Sequence, residues 1–357
     1  MKRLDAVRQA LARLDQPAAL VVAGEANRRY LSGFRGDAGL LWITADDAAL
    51  ITDSRFWDQA GQECPEWRLV RQRRQPQGDV LAGLVAEAGV RVLAFEPGEV
   101  THQTYLDWRR RLRGVRMRGA RGWIDQLRVR KDADEVAAIG RAAALVDGVF
   151  AEWRAQVGPG AVEAELAADL EWRLRRAGAE GIAFPTIVAG GARGAQPHAI
   201  AGRTALAAGD LVVVDVGARV DGYCSDMTRT LLVPGAPPPP EAERVYGIVA
   251  EALAAGLAAL RPGVRARAVD AACRQVIEAA GFGEEFGHGT GHGVGLDVHE
   301  DPPLSPRAGP GVRVPAGAVV TVEPGIYLPG WLGVRLEQLV HVTADGPRVL
   351  SASPLEW

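Results

Sequence analysis

The chain has 357 residues, of which 48% are apolar and 24% charged, and its formal net charge is −3. That length exceeds one ordinary core and suits two domains. No block of like charge is long enough for a nucleic-acid tail, and no apolar stretch approaches the ~18–20 residues of a membrane span, so neither nucleic acid nor a membrane is expected as a partner.

Taken in chain order, Met1-Lys2-Arg3-Leu4-Asp5 carries an acid early, with no apolar run behind it. It reads as a helix start rather than a signal peptide. From Met1 to about Gly119, short apolar runs alternate with amphipathic stretches. The pattern predicts strands at Ala18–Ala23, Leu40–Thr44, Ala48–Thr52, Trp67–Val70 and Arg91–Phe95, and helices at Ser54–Glu63, Val80–Ala88 and Tyr105–Arg113. Such alternation is what an α/β domain produces. The basic cluster Arg109–Arg113 reads as a solvated helix face. The segment Trp123–Lys131 reads as a junction, which places an N-terminal domain over 1–122, a linker over 123–131 and a second domain over 132–357.

In the second domain, helical patterns run from Asp134 to Gln156, Val162 to Ala177, Glu241 to Leu260 and Ala266 to Ala280. Asp132 or Asp134 is the expected N-cap of the first, and the stiff run Pro237–Pro240 precedes the third. Strands are predicted at Leu211–Val216, Met227–Val233, Ala318–Tyr327 and Leu332–Val342. The three cysteines, Cys64, Cys224 and Cys273, are far apart and form no C-x-x-C pair. A disulfide framework or structural zinc site is therefore not expected, which argues for a reducing cytoplasm.

The chemistry concentrates in the second domain. Four of the six histidines, His198, His288, His292 and His299, lie in its middle, near strand ends and glycine turns. Asp215 sits inside Leu-Val-Val-Val-Asp-Val-Gly, and an unpaired carboxylate in a buried strand must be paired, hydrogen-bonded or bound to metal. Asp226 follows the hairpin signal Asp221-Gly222. Glu323 and Glu337 are again acids in β-rich runs. Each alone reads equally well as a satisfied strand acid. Together with the glycine-flanked His292 they point to one cationic ligand set. Four carboxylates and one imidazole suit two divalent ions, since the charges +4 and −4 cancel, whereas a single zinc favours fewer oxygens. Two ions ~3.5–4 Å apart polarise water and clamp the oxygens of a displacement.

Competing motifs fail. No frame of Gly287–Gly295 satisfies G-x-G-x-x-G, and no phosphate-loop Lys-Ser/Thr follows it. His299-Glu300 does not continue to H-E-x-x-H, because Pro303 stands at the last position, and there is no G-x-S-x-G elbow.

The order Asp215, Asp226, His292 in Gly-His-Gly-Val-Gly, Glu323 in Val-Glu-Pro-Gly and Glu337 resembles the five ligands of the pita-bread metallopeptidases, the family of methionine aminopeptidase, aminopeptidase P and prolidase. Pro197-His198-Ala199, Gly-Leu-Asp-Val-His299-Glu300-Asp-Pro and Arg335 resemble its proline-specific branch. Asn27–Phe34 and Thr52–Phe56 resemble the creatinase-type N-terminal domain, which methionine aminopeptidases lack. The resemblance covers nearly the whole chain. It implies an α/β creatinase-like N-terminal domain, an α+β pita-bread catalytic domain of antiparallel sheet backed by helices, and a homodimer. It implies hydrolysis of the bond before proline in peptides with two divalent ions, manganese for preference and cobalt or zinc as alternatives. Asp215 and Asp226 would hold one ion, His292 and Glu323 the other, and Asp226 and Glu337 would bridge. Glu323 would shuttle the proton, His299 would stabilise the oxyanion, His198 and His288 would line the substrate site, and Arg335 would orient a ligand carboxylate or a substrate group. Many relatives follow the last glutamate with Asp, where this chain has Gln338, expected to act as a neighbour of the site and not a ligand.

Archaeal-type prolidases place an arginine directly after His-Glu-x-Pro. This chain has Pro303 there, then Leu304, with Arg307 the nearest cation. The difference favours an Xaa-Pro aminopeptidase over an Xaa-Pro dipeptidase, unless Arg35, Arg55, Arg193 or a partner subunit supplies the carboxylate anchor. A creatinase-like hydrolase without metal, an inactive peptide-binding relative and a methionine-removing enzyme are opposed by the intact ligand set or by the N-terminal domain.

Overall fold

The structure, a computed structural model, describes residues 2–356. It divides into two compact units, the first ending at Arg128 and the second beginning at Val129.

The first unit runs α1 (Lys2–Ala12), β1 (Ala18–Val22), α2 (Glu25–Ser32), β2 (Leu40–Ile43), β3 (Ala48–Thr52), α3 (Trp57–Glu63), β4 (Arg68–Arg71), α4 (Gln77–Glu87), β5 (Val92–Phe95), α5 (His102–Arg111), β6 (Arg116–Gly119) and α6 (Asp125–Arg128). Its six-stranded mixed sheet has the order β4-β3-β2-β1-β5-β6. The central strands are apolar on both faces, and Leu20, Val21, Leu41, Leu93 and Ala94 are fully buried. Continuous apolar runs of this kind are what a sheet covered on both sides requires. β6, Arg-Met-Arg-Gly, is a polar edge strand with no periodic apolar signal, and the sequence pattern does not mark it.

The second unit runs α7 (Ala133–Trp153), α8 (Glu163–Arg176), β7 (Gly181–Ile182), β8 (Ile187–Gly190), β9 (Leu211–Val216), β10 (Ala218–Val220), β11 (Tyr223–Cys224), β12 (Met227–Leu232), α9 (Pro240–Ala259), α10 (Ala266–Ala279), β13 (Gly291–Gly293), β14 (Glu300–Leu304), β15 (Val319–Val322), β16 (Gly325–Leu328), β17 (Leu332–Arg335), β18 (Gln338–Thr343) and β19 (Gly346–Val349). All its strand pairs are antiparallel. Asp132 caps α7: its carboxylate accepts from the Glu135 N–H at 3.0 Å, and the Glu135 carboxylate accepts from the Asp132 N–H at 3.0 Å. This capping box stabilises the helix start by about 1 kcal/mol. α9 opens with Pro240 in its first turn, where a missing N–H does no harm.

Two cores result. One packs α7 and α8 against β9 and β12 through Val146, Phe150, Leu170, Val212, Val214 and Leu231. The other packs α9 and α10 against the later strands through Val249, Leu253, Val269, Ile277, Val320 and Val340. No helix of the described residues is long and apolar enough to cross a membrane.

Two predicted strands are broken in two. Ala318–Tyr327 divides into β15 and β16 because Pro324 has no N–H to give to a ladder. Leu332–Val342 divides into β17 and β18 because the Glu337 N–H turns to the Thr228 carbonyl, 3.2 Å away on β12. Glu323 and Glu337 lie in these breaks. Arg335 and Glu337 therefore do not share one continuous strand, although both side chains reach the same site.

Candidate active site

Strand ends and glycine turns assemble the site. Asp215 is the penultimate residue of β9, the middle strand of β12-β9-β8, and Asp226 directly precedes β12. The register, Met227 opposite Val216 and Thr228 opposite Asp215, brings the two acids together. Asp221 and Gly222 form the hairpin turn between β10 and β11, with φ of 50° and 82°, the left-handed pair a type I′ turn demands. His292 is the centre of β13, and its two glycine neighbours are dictated by space. A Cβ on Gly291 would stand 2.1 Å from the Thr321 carbonyl oxygen, and one on Gly293 2.2 Å from that of Asp301. The Glu323 N–H donates to the Thr290 carbonyl at 2.7 Å.

Ligand-type oxygens of Asp215, Asp226 and Glu337 lie within 4.8 Å of one another. His292 Nε2 is 3.3 Å from Glu323 Oε1 and 3.6 Å from Asp226 Oδ2. His292 Nδ1 faces the Gly293 carbonyl at 3.0 Å, which leaves Nε2 to the carboxylates. The Thr228 hydroxyl donates to Glu337 Oε2 at 2.9 Å, and the Thr321 hydroxyl to Glu323 Oε1 at 3.3 Å. Arg335 is buried, and four of its five N–H donors are engaged. Nη2 donates to Asp215 Oδ2 at 2.7 Å, Nη1 to the Tyr327 oxygen at 3.0 Å and the Pro197 carbonyl at 3.1 Å, and Nε to Thr228 Oγ1 at 3.0 Å.

So many buried acids do not ionise together. Burial, then the charges of Glu337, Asp215 and Glu323, hold Asp226 well above the usual carboxylate range. Burial and the neighbouring Glu323 and Asp215 push Glu337 up to about 8. Burial also raises Asp215, against the pull of Arg335. Burial opposes a charge on His292, but the Glu323 carboxylate outweighs it and raises the imidazole to about 9. Burial likewise opposes ionised Glu323, and the His292 hydrogen bond and charge outweigh it, lowering the carboxyl to about 2. Asp215 Oδ1 and Glu337 Oε1 are buried with no hydrogen-bond donor. Buried acceptors are rarely left unpaired, and a divalent pair would satisfy both while neutralising the four carboxylates. The donor set fits two hard or borderline divalent cations.

A cleft of about 750 Å³ opens onto Asp215, Asp226, His292 and Glu323, lined also by His198, His288, His299 and Arg335. One wall is apolar, with Phe184, Ile187, Ala167 and Ile200. His288 Nδ1 faces the Gly289 carbonyl at 2.8 Å, and Nε2 faces the Tyr327 hydroxyl at 2.8 Å. Burial lowers the pKa of His288, and burial with the neighbouring His292 lowers that of His299. The His299 ring stands edge-on to His292, with centroids 4.4 Å apart at 70°. Sequence reasoning missed Thr228, Thr321 and Tyr327, which look like ordinary strand residues. Tyr327 four residues after the acid in Val-Glu-Pro-Gly-Ile-Tyr was the one available signal. Gln338 heads β18, and its Oε1 accepts from the Ser351 hydroxyl at 2.5 Å.

The arginines named as carboxylate anchors are all engaged: Arg35 with Glu63, Arg55 with Asp53 and Arg193 with Glu163, each at 2.8 Å. Arg307 is exposed. Among the described residues that line the cleft, Arg335 is the one arginine, and no lysine joins it.

Residues 137–344 match the model of metallopeptidase family M24, and residues 3–130 match the creatinase/prolidase N-terminal domain. The chain belongs to metallopeptidase family M24. An Xaa-Pro dipeptidase of Pyrococcus horikoshii is 32% identical over 95% of this chain and 93% of its own. An Xaa-Pro dipeptidase structure from Bacillus anthracis superposes with a TM-score of 0.94 at 35% identity, covering 99% of this chain and 98% of that one. An X-Pro aminopeptidase structure from Thermotoga maritima gives 0.87 at 35% identity, covering 95% and 96%. This M24 chain thus has the architecture its resemblance implied, a creatinase-type N-terminal domain followed by a pita-bread catalytic domain.

Proposed function

We propose that this M24 peptidase is an Xaa-Pro aminopeptidase, cleaving the bond between an N-terminal residue and proline in peptides longer than two residues. The observation that carries the choice is the commitment of Arg335 to Asp215, Tyr327, Thr228 and Pro197, which occupies four of its five N–H donors. Among the described residues lining the cleft it leaves no free arginine or lysine for the carboxylate of a dipeptide. A second reading, Xaa-Pro dipeptidase, draws support from the names of the Pyrococcus horikoshii and Bacillus anthracis relatives.

Asp215 and Asp226 would hold one divalent ion, His292 and Glu323 the other, with Asp226 and Glu337 shared between them. Bound there, the pair supplies Lewis-acid polarisation of the scissile carbonyl and acidifies water. The oxygen-rich set suits manganese. Glu323, ionised, takes the proton of the attacking water and delivers it to the proline nitrogen. Neutral His299 donates a hydrogen bond to the oxyanion that develops on the carbonyl oxygen. His198 and His288 contact the substrate from the cleft walls; the Gly289 carbonyl, which can only accept, keeps the His288 proton on Nδ1, and Nε2 accepts from the Tyr327 hydroxyl. Arg335 orients Asp215. We also read the chain as a cytoplasmic homodimer. Its three buried free thiols support a reducing compartment, and the dimer rests on the family resemblance.

A paired assay of the manganese-loaded protein on Ala-Pro-Ala and Ala-Pro tests the choice. Faster tripeptide cleavage is expected. A preference for the dipeptide would overturn it in favour of the second reading.

A further inference from the structure

The segment that carries His198 begins and ends on one buried carboxylate. Glu163, the first residue of α8, has no solvent exposure (0%). Its Oε1 accepts from the Gly190 N–H at 3.0 Å and from Arg193 Nε at 3.1 Å. Its Oε2 accepts from Arg193 Nε at 2.8 Å and from the Gly202 N–H at 3.1 Å. Gly190 closes β8, and Gly202 lies just beyond His198, so a single side chain ties down both ends of the loop 190–202. Arg193 reaches on from Glu163 to the carbonyl of Ile200. On the inner side the Pro197 carbonyl accepts from Arg335, and a Cβ on Gly194 would stand 3.3 Å from the Gly333 nitrogen. The loop is thereby held from the outside by Glu163 and Arg193, and from the inside by the site itself.

Backbone pairing alone already fastens the start of α8 to the segment after the loop, through Glu163 N–H to the Thr204 carbonyl at 3.1 Å and Ala164 N–H to the Gly202 carbonyl at 2.9 Å. The ion pair therefore adds what those bonds do not, a fixed path for the residues between Gly190 and Gly202. His198 and Ile200, both on that path, line the cleft.

We propose that Glu163 and Arg193 are positioning residues of the active site: their ion pair fixes the loop 190–202 so that His198 stands at the cleft wall. The inference rests on the reading of His198 as a substrate contact. It also gives Arg193 a role other than carboxylate anchor.

The test is a double-mutant cycle with the manganese-loaded enzyme on Ala-Pro-Ala: wild type, Arg193→Met, His198→Ala and the double variant. Bound metal is measured by elemental analysis and folding by thermal unfolding. Arg193 is the better position to change, because its side chain is 32% exposed whereas Glu163 is enclosed. His198→Ala is expected to lower kcat/KM by about 10²-fold. Arg193→Met should lower it by roughly ten-fold or more, since a displacement of about 1 Å at a reacting site has effects of that order. Metal content should be unchanged in both. The double variant should be no slower than His198→Ala, because a residue acting through His198 has nothing left to position. Multiplying losses, or an Arg193→Met enzyme at the wild-type rate, would overturn the inference while leaving the proposed function standing. A His198→Ala enzyme at the wild-type rate would remove the substrate role and the inference with it. A wild type that does not cleave Ala-Pro-Ala would sink the proposed function itself. Should Arg193→Met not fold, Arg193→Lys keeps a cation beside Glu163 without the fork that serves both Glu163 and Ile200, and the same comparisons apply.

Discussion

Replacing Arg335 with Met removes the one cation bonded to Asp215. Four hydrogen bonds go with it, to Asp215 Oδ2, Tyr327, Thr228 and Pro197. Removing one partner of a buried ion pair destabilises by about 3–5 kcal/mol, because the other charge stays behind without compensation. Unfolding temperatures move by about 2–4 °C per kcal/mol in units of this size, so the protein without metal should lose roughly 6–20 °C. The loss should depend on pH in a defined direction. Burial already raises the Asp215 pKa, and Arg335 opposes that rise, so the variant's carboxyl rises further above its unfolded value. Ionisation of a carboxyl with a raised folded pKa works against the fold, so the deficit is largest at high pH and narrows as the pH falls through the folded pKa. Divalent cations supply the same compensation as the guanidinium, so manganese should narrow the deficit as well. Thermal unfolding at pH 5 and pH 8, with and without manganese, measures all of this. A deficit below about 1 °C, or one indifferent to both pH and manganese, would show that Arg335 is not the countercharge of Asp215.

Metal uptake should release protons and strengthen from pH 6 to pH 9, because without a cation Asp226 lies well above the carboxylate range, Glu337 near 8 and His292 near 9, and ligands bind deprotonated. Calorimetric titration with manganese in two buffers of different ionisation enthalpy reads the protons directly, and identical apparent enthalpies would contradict it. Asp226→Ala should abolish metal binding, and a normal metal content by elemental analysis would remove Asp226 from the ligand set. His299→Ala should cut turnover by ~10²-fold with metal still bound, and an unchanged rate would dismiss its oxyanion role.

The most legible parts of the sequence were those where local chemistry forces the outcome. Leu211–Val216 is a strand at the predicted bounds, as a continuous β-branched run should be. The helix patterns fall within about a turn of α7, α8, α9 and α10. The acids inside apolar runs announced themselves because a buried charge needs a partner. Less was readable where a distant element decides. The break at Glu337 is made by the Thr228 carbonyl on β12, and nothing near position 337 foretells it. Pro324 did offer a local sign of the other break. Tyr327, Thr228 and Thr321 act through partners that only the assembled sheets supply, and the Glu163–Arg193 pair joins a helix start to a loop well removed in sequence.

Hydrolysis before proline with bound divalent ions underlies every role assigned to the site. Its most direct test compares Ala-Pro-Ala with Ala-Ala-Ala, using the purified protein loaded with manganese and again after chelation. Alanine should be released from Ala-Pro-Ala and little from Ala-Ala-Ala, with activity lost on chelation and recovered when manganese returns. Equal cleavage of both peptides, or activity untouched after elemental analysis shows the metal removed, would contradict it.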